Sequence, residues 1–326
     1  MDAGVFVSRS EAEATSFANA LELYAQEVTS QKRSSASELS RIQAMQRHPL
    51  ALRSLASIRG SDMAKYRDTR LEEGLAPATV RRELALISHV FTIARKEWRM
   101  ESLNNPVELI RQPSVDDARE RRILSADVWI QKDGKLLYEH LDELEMIRRH
   151  SRSTELPKIM TFAVETAMRR SEITGLQSTN VNLDKRVALL SMTKNGSSRG
   201  VPLSSKAVDI LKSLAQRDDG RCFKSRPDSI TKAFADAIDD ARNAYEAGLS
   251  RHLKQKKISQ EKIDKRISTD PFLMGLRFHD LRHEATSRLA EIFPLHELTK
   301  ITGHQDTRML MRYYHPKTED LAKKLT

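Results

Sequence analysis

A single cysteine, Cys222, is all the thiol this chain carries, which excludes an internal disulfide framework and any zinc site built on cysteines. Aromatic residues are scarce at 5%, and no apolar run approaches the length of a membrane span. The opening Met1-Asp2-Ala3-Gly4 lacks the basic-then-apolar layout of a secretory leader, so a cytoplasmic protein without membrane contact is expected. What the chain has in quantity is charge. Of its 326 residues 31% are charged and 39% hydrophobic, enough for sizeable cores under an ionic surface, and the length suggests two domains. Lysine and arginine number 55 against 45 acids, a net of +10 with a pI near 9.6. The excess is uneven: 16 basic against 14 acidic residues up to Pro113, then 39 against 31. A basic excess gathered in one part points to a polyanion as partner.

Periodicity divides the chain near residue 114. Phe17, Ala20, Leu21 and Tyr24 make one helical stripe. Ser61 is expected to cap a helix running to Glu73 with Gly74 ending it, and Val80, Leu84, Ile87, Phe91 and Ala94 give a longer helix after Pro77. Residues 99–123 read as a linker, with Asn104-Asn105-Pro106 and little apolar pattern. Beyond it, helices are expected over 156–168 and 171–176. A strand at Val187–Leu190, a turn at Asn195-Gly196 and a return strand at Gly200–Leu203 follow, with helices again from 205. Residues 251–266 hold seven Lys/Arg and two acids, either a solvated helical hairpin or an added DNA-backbone contact. Arg81 and Arg82, beside the apolar stripe of the long helix, are candidates to meet phosphates too.

Three separated boxes suit phosphodiester chemistry. They are Thr166-Ala167-Met168-Arg169-Arg170-Ser171-Glu172, then His279-Asp280-Leu281-Arg282-His283, then Gly303-His304 with Tyr313-Tyr314-His315. Arginine forks bind phosphate oxygens bidentately and stay charged at any working pH. A tyrosine hydroxyl can be a nucleophile that holds a covalent phosphodiester, histidine can accept its proton, and lysine can protonate the departing oxygen. No carboxylate cluster suits a two-metal nuclease. Tyr313 and Tyr314 compete, since adjacent helical residues point about 100° apart. Cys222 reads as a small buried residue and Arg170 as a surface arginine.

Taken together and in order, these boxes resemble those of the tyrosine recombinases, the phage-integrase family of site-specific DNA recombinases. Thr193-Lys194-Asn195-Gly196 up to Val201-Pro202-Leu203 looks like that family's lysine-bearing hairpin. The resemblance implies a mainly helical fold with a small sheet or hairpin: a helical SAM-like core-binding domain at 1–113 and a mixed α/β catalytic domain at 114–326. It implies that Arg169 and Arg282 clamp the scissile phosphate with a third hydrogen bond from His304. Lys194 is the implied general acid, His279 assists at the tyrosine, and Glu172 orients the site from behind. Tyr313, nine residues after His304, attacks to leave a 3′-phosphotyrosyl link, with neither metal, ATP nor other cofactor. No role is assigned to His283 or His315. The implied partners are a double-stranded recombination site, three sister subunits in a homotetramer on synapsed DNA (monomer or weak oligomer when free), and an accessory DNA-bending protein. The implied setting is the nucleoid of a bacterial or phage-infected cell.

Two departures from the family stand out. The chain is expected to start after the point where an arm-binding domain would end. The interval from Lys194 to His279 is also long, with Lys254, Lys256 and Lys257 in its basic segment expected to reach DNA. The tail 316–326 is expected to form a short amphipathic helix. A type IB topoisomerase-like relaxing enzyme and a non-catalytic DNA-binding regulator remain the alternatives.

Overall fold

The apolar stripes of the first third of the chain close on one another. A computed structural model describes residues 10–32, 35–115, 119, 121–132, 135–190, 198–304 and 306–313, and these fall into two compact units divided between Ala118 and Arg119.

The first unit is helical: α1 (Ser10–Ala14), α2 (Phe17–Glu27), α3 (Ser35–Gln46), α4 (Gly60–Glu72) and α5 (Pro77–Glu97). Ser16 caps α2 by accepting from the Asn19 amide at 3.1 Å. Phe17, Leu21 and Tyr24 on its inner face are buried with Val80, Leu84, Ile87 and Phe91 of α5. Proline opens α5 where its missing N–H costs nothing. Helix α4 begins two residues before the expected start. Its N-cap is Arg59, whose amide donates to the Asp62 carboxylate at 2.8 Å, and Ser61 lies inside the helix. Gly74 ends it at φ +84°, which favours glycine.

The expected linker also starts too early. Met100, Leu103 and Val107 are buried in this first core, and Asn105 ties the segment down by donating to the Ser88 side chain at 2.8 Å. Three well-spaced apolar residues suffice to dock a stretch that carries no periodic pattern. Arg81 and Arg82 lie exposed on α5, opposite its buried stripe.

The second unit opens with an antiparallel pair that periodicity did not reveal, β1 (Ser125–Lys132) and β2 (Lys135–Asp142), in register from Ser125 opposite Asp142 to Lys132 opposite Lys135. Helices α6 (Glu143–His150), α7 (Leu156–Thr166) and α8 (Arg170–Thr174) follow. A three-stranded antiparallel sheet comes next, β3 (Val181–Asn182), β4 (Val187–Leu190) and β5 (Arg199–Pro202), in that order. The expected strand at 187–190 is β4, and the return strand forms one residue earlier than expected.

Helices α9 (Ser205–Lys212), α10 (Pro227–Gln255), α11 (Gln260–Thr269), α12 (Asp280–Ala290), α13 (Leu295–Thr302) and α14 (Arg308–Met311) complete the unit. The basic segment 251–266 is the end of α10, a turn and most of α11. Leu253 and Ile263 anchor it to the core, and all seven of its basic side chains face solvent. The hairpin β1–β2 lies on α10 so closely that a Cβ on Gly248 would fall 1.9 Å from the Trp129 carbonyl oxygen. The fold is thus mainly helical with small antiparallel sheets. No helix of the described residues is long and apolar enough to cross a membrane.

Candidate active site

A left-handed turn begins the site. Helix α7 stops at Thr166, and Ala167 adopts φ +51°, which turns the chain so that Arg169 becomes the N-cap of α8. Arg169 is therefore at the start of a helix instead of the end of one. Its amide donates to Glu172 Oε2 at 2.8 Å, its Nη1 to Glu172 Oε1 at 2.9 Å, and its Nη2 to the Gly303 carbonyl at 3.3 Å. Arg170 has a long 3.9 Å pair to Asp228, and its charge is among those that lower the His279 pKa.

Glu172 is held from its other side by a residue that the sequence did not single out. Arg199, at the start of β5, places Nη1 and Nη2 at 3.0 and 2.7 Å from the two carboxylate oxygens, while its Nε donates to the Ile301 carbonyl at 3.0 Å. Burial pushes the Glu172 carboxyl up, but Arg199 and then Arg169 outweigh it and hold it below its ordinary value. Arg199 thus joins the strand after the proposed lysine hairpin to the box of Arg169 and to the end of α13. Its only sequence signal was its place two residues before Val201-Pro202-Leu203.

Helix α12 supplies the second guanidinium. Arg282 is 4% exposed, with Nη2 donating to the Thr302 carbonyl at 2.7 Å and Nη1 to the carbonyl of the left-handed Ala167. Burial first, then the charge of Arg169, lowers its pKa. The guanidinium stays charged, and an incoming anion would relieve this unfavourable concentration of positive charge.

The outer flank of α12 is fastened by arginines from the segment that opens this unit. Asp280, fully buried, accepts from Arg119 Nε and Nη2 at 2.9 and 2.6 Å, and Glu284 accepts from Arg122 Nε at 2.8 Å. Arg121 pairs with the buried Glu143. These arginines lie in a run expected only as charged linker.

Gly303 ends α13 at φ +68°, and a Cβ there would lie 2.9 Å from Arg199 Nη1, so glycine is needed for both backbone and space. His304 follows. The Thr302 hydroxyl donates to the Leu298 carbonyl at 2.7 Å, so its oxygen accepts from His304 Nδ1–H, also at 2.7 Å. That tautomer leaves Nε2 as an acceptor. Burial and then the charges of Arg282, Arg169, Arg199 and Arg312 push the His304 pKa down to about 3.

His279 precedes α12 and keeps an exposed face. Burial of its remainder, then the Arg282 charge, lowers its pKa, with Asp280 opposing. Its ring meets His283 edge-on, centroids 5.0 Å apart. The Tyr313 hydroxyl and His283 Nδ1 are hydrogen-bonded, with the ring centroids 5.8 Å apart. Tyr313 is close enough to Arg282 to bear on its ionisation. The structure therefore brings Arg169, Arg282, His279, His304, Glu172 and Tyr313 together and adds Arg199 and His283. The signal for His283 was its place four residues after His279, on the same helical face. Lys194, Tyr314, His315 and the tail 316–326 lie outside the described residues. Lys254, Lys256 and Lys257 lie exposed at the end of α10 and in the turn after it, and Arg81 and Arg82 belong to the first unit. Among the described residues no group of three or more His, Cys, Asp or Glu side chains is arranged to hold a metal ion.

Two guanidinium groups, histidines and a tyrosine hydroxyl drawn from three boxes far apart in sequence define a class, the tyrosine-type site-specific DNA recombinases. Residues 132–320 match the phage integrase family, and the chain belongs to it. It is 35% identical over 322 residues to a shufflon-specific DNA recombinase of Escherichia coli, spanning 95% of this chain and 71% of that protein. Among solved structures, the integrase of the transposon Tn1549 in complex with circular intermediate DNA superposes with a TM-score of 0.61 at 16% identity. That match covers 96% of this chain and all of that one. A lambda integrase tetramer bound to a Holliday junction gives 0.62 at 15% identity, covering 92% of this chain and 78% of that one. At such identities these two speak to the fold alone.

Proposed function

We propose that this protein cuts and rejoins DNA at a specific site through a covalent 3′-phosphotyrosine on Tyr313, without metal or ATP. The observation that carries the reading is the convergence of the Tyr313 hydroxyl, through its hydrogen bond to His283, on the helix bearing Arg282, across from Arg169. Arg169 and Arg282 take the nonbridging oxygens and offset the charge of the pentacoordinate phosphorus. Tyr313 Oη forms the bond to phosphorus, and the 5′-oxygen departs with a proton from Lys194. A 5′-hydroxyl of another strand then reverses the step. Glu172 keeps Arg169 aimed, and His304 donates to the phosphate once protonated on Nε2.

Arg81 and Arg82 on α5, and Lys254, Lys256 and Lys257 at the tip of α10 and α11, contact the DNA backbone away from the cut. The partners are a double-stranded recombination site and sister subunits in a tetramer on synapsed DNA, from a monomer or weak oligomer when free. An accessory DNA-bending protein is a further partner. The compartment is the cytoplasm, at the nucleoid. Likeness over 95% of the chain to a site-dedicated recombinase favours exchange between paired sites over unspecific relaxation.

The test is a suicide substrate nicked beside the crossover, run with wild-type protein, Tyr313→Phe and Tyr314→Phe. The reading expects a protein–DNA adduct that survives denaturation, lost with Tyr313→Phe alone. Tight binding with no adduct from wild-type protein would make it a regulator. Relaxation of supercoils lacking the site would make it topoisomerase-like.

A further inference from the structure

The resemblance gives His279 the task of assisting the tyrosine, yet the hydroxyl of Tyr313 is hydrogen-bonded to Nδ1 of His283. We propose that His283 is the proton acceptor for Tyr313 during strand cleavage and returns that proton when ligation expels the phenolate. The inference rests on the reading of Tyr313 as nucleophile.

The geometry supplies the first argument. A general base must lie within hydrogen-bond reach of the proton it takes, and His283 already holds that contact in the free protein. The ring is poorly free to wander. It sits on α12, between Arg282 and Glu284, on a helix whose other flank is fastened by Arg119 on Asp280 and Arg122 on Glu284. The His279 ring packs against it edge-on.

Protonation state supplies the second. Burial is the largest influence on His283. His279, Arg312 and Arg282 face it and push in the same direction, while Asp280 opposes, and together they bring its pKa down to about 4. The ring is neutral at working pH, and in the tautomer with its proton on Nε2 the Nδ1 lone pair faces the hydroxyl. The negative charge of a bound phosphate would offset the guanidinium groups and make the ring more basic when the proton arrives.

The step balances. The Tyr313 O–H proton passes to His283 Nδ1 as Oη bonds to phosphorus, the bond from phosphorus to the 5′-oxygen breaks, and that oxygen is protonated by the general acid. In ligation a 5′-hydroxyl attacks phosphorus and returns its proton to the general acid, the bond to Oη breaks, and the leaving phenolate recovers the proton from Nδ1–H.

The experiment measures single-turnover adduct formation on the nicked substrate for wild type, His283→Ala, His283→Gln, His279→Ala and Tyr313→Phe, with DNA retention recorded for each. His283→Ala is expected to slow cleavage by the order of 10²–10⁴-fold while retaining DNA. Its rate should rise about tenfold per pH unit as phenolate replaces the lost base, and added imidazole should restore it in proportion to concentration. His283→Gln keeps a neutral acceptor that cannot carry a proton, and should be as slow as His283→Ala. A substrate with sulfur at the bridging 5′-position needs no general acid, so the His283→Ala defect should persist on it. A wild-type rate for His283→Gln, or a defect abolished by the sulfur substrate, overturns the assignment. So does a His283→Ala defect that imidazole leaves untouched, while His279→Ala is the variant imidazole rescues. Adduct formation by Tyr313→Phe would instead remove the nucleophile reading beneath it.

Discussion

Arg199 grips both oxygens of Glu172, and the two side chains are only 7% and 8% exposed. Without Arg199 the Glu172 carboxylate keeps Arg169 but loses its other partner. Arg199→Gln should therefore lower unfolding stability by about 1–3 kcal/mol. It should also slow cleavage about 10–100-fold by loosening Arg169, with Arg199→Lys recovering part of the loss. Denaturant titration and single-turnover cleavage read the two effects. The pH signature has a definite sign. The folded Glu172 carboxyl is held below its ordinary value, so its contribution exists above the unfolded value and fades as pH falls through the folded one. In Arg199→Gln the carboxyl moves up, and cleavage should acquire an acid limb that wild type lacks.

His304 presents an acceptor to the phosphate while Thr302 holds its Nδ1–H. Donation to a phosphate oxygen requires a second proton on the ring, whose pKa lies far below neutrality until DNA compensates the nearby guanidinium groups. Binding of the core site should take up about one proton at around pH 6, visible as buffer-dependent heats in calorimetry. His304→Gln should abolish the uptake.

Arg119 and Arg122 fasten the same helix with unequal effect. Asp280 is wholly buried and Arg119 31% exposed, whereas Arg122 is 53% exposed against a 7% exposed Glu284. Arg119→Gln should cost about 1–3 kcal/mol through the under-satisfied carboxylate, and Arg122→Gln below about 1 kcal/mol. Urea unfolding of the two variants gives the comparison.

Cys222 has its thiol pushed up to about 11 by burial. As the chain's one thiol it should alkylate slowly with iodoacetamide at neutral pH and rapidly in denaturant. Cys222→Ser should leave the cleavage rate unchanged.

The seven exposed basic residues of 251–266 offer a salt test. Each phosphate contact contributes about 0.9 to the slope of log affinity against log salt. Replacing all seven with Gln should flatten that slope by several such steps, and an unchanged slope would remove this surface from the DNA interface.

Local periodicity revealed what local periodicity builds. The stripe from Val80 to Ala94 and the short strand Val187–Leu190 were legible because their burial repeats at the spacing of the element itself. The pair β1–β2 was not, since Leu136, Leu137 and Tyr138 run together and break the alternation. Met100, Leu103 and Val107 dock without any period. In the site, residues whose chemistry announces itself in short boxes were found, whereas Arg199 and the arginines at 119, 121 and 122 declare their roles only through partners 22 to 162 residues away. His283 was visible as a residue but not as a contact, because its relation to Tyr313 spans 30 residues and a change of direction.

The left-handed Ala167 carries one more implication. A side chain in that conformation is held at a cost of roughly 1 kcal/mol, and the same turn both sets the direction of Arg169 and offers its carbonyl to Arg282. The two guanidinium groups are consequently hinged on a single peptide, and behave as one jaw: whatever shifts that peptide must open or close both sides of the bite at once.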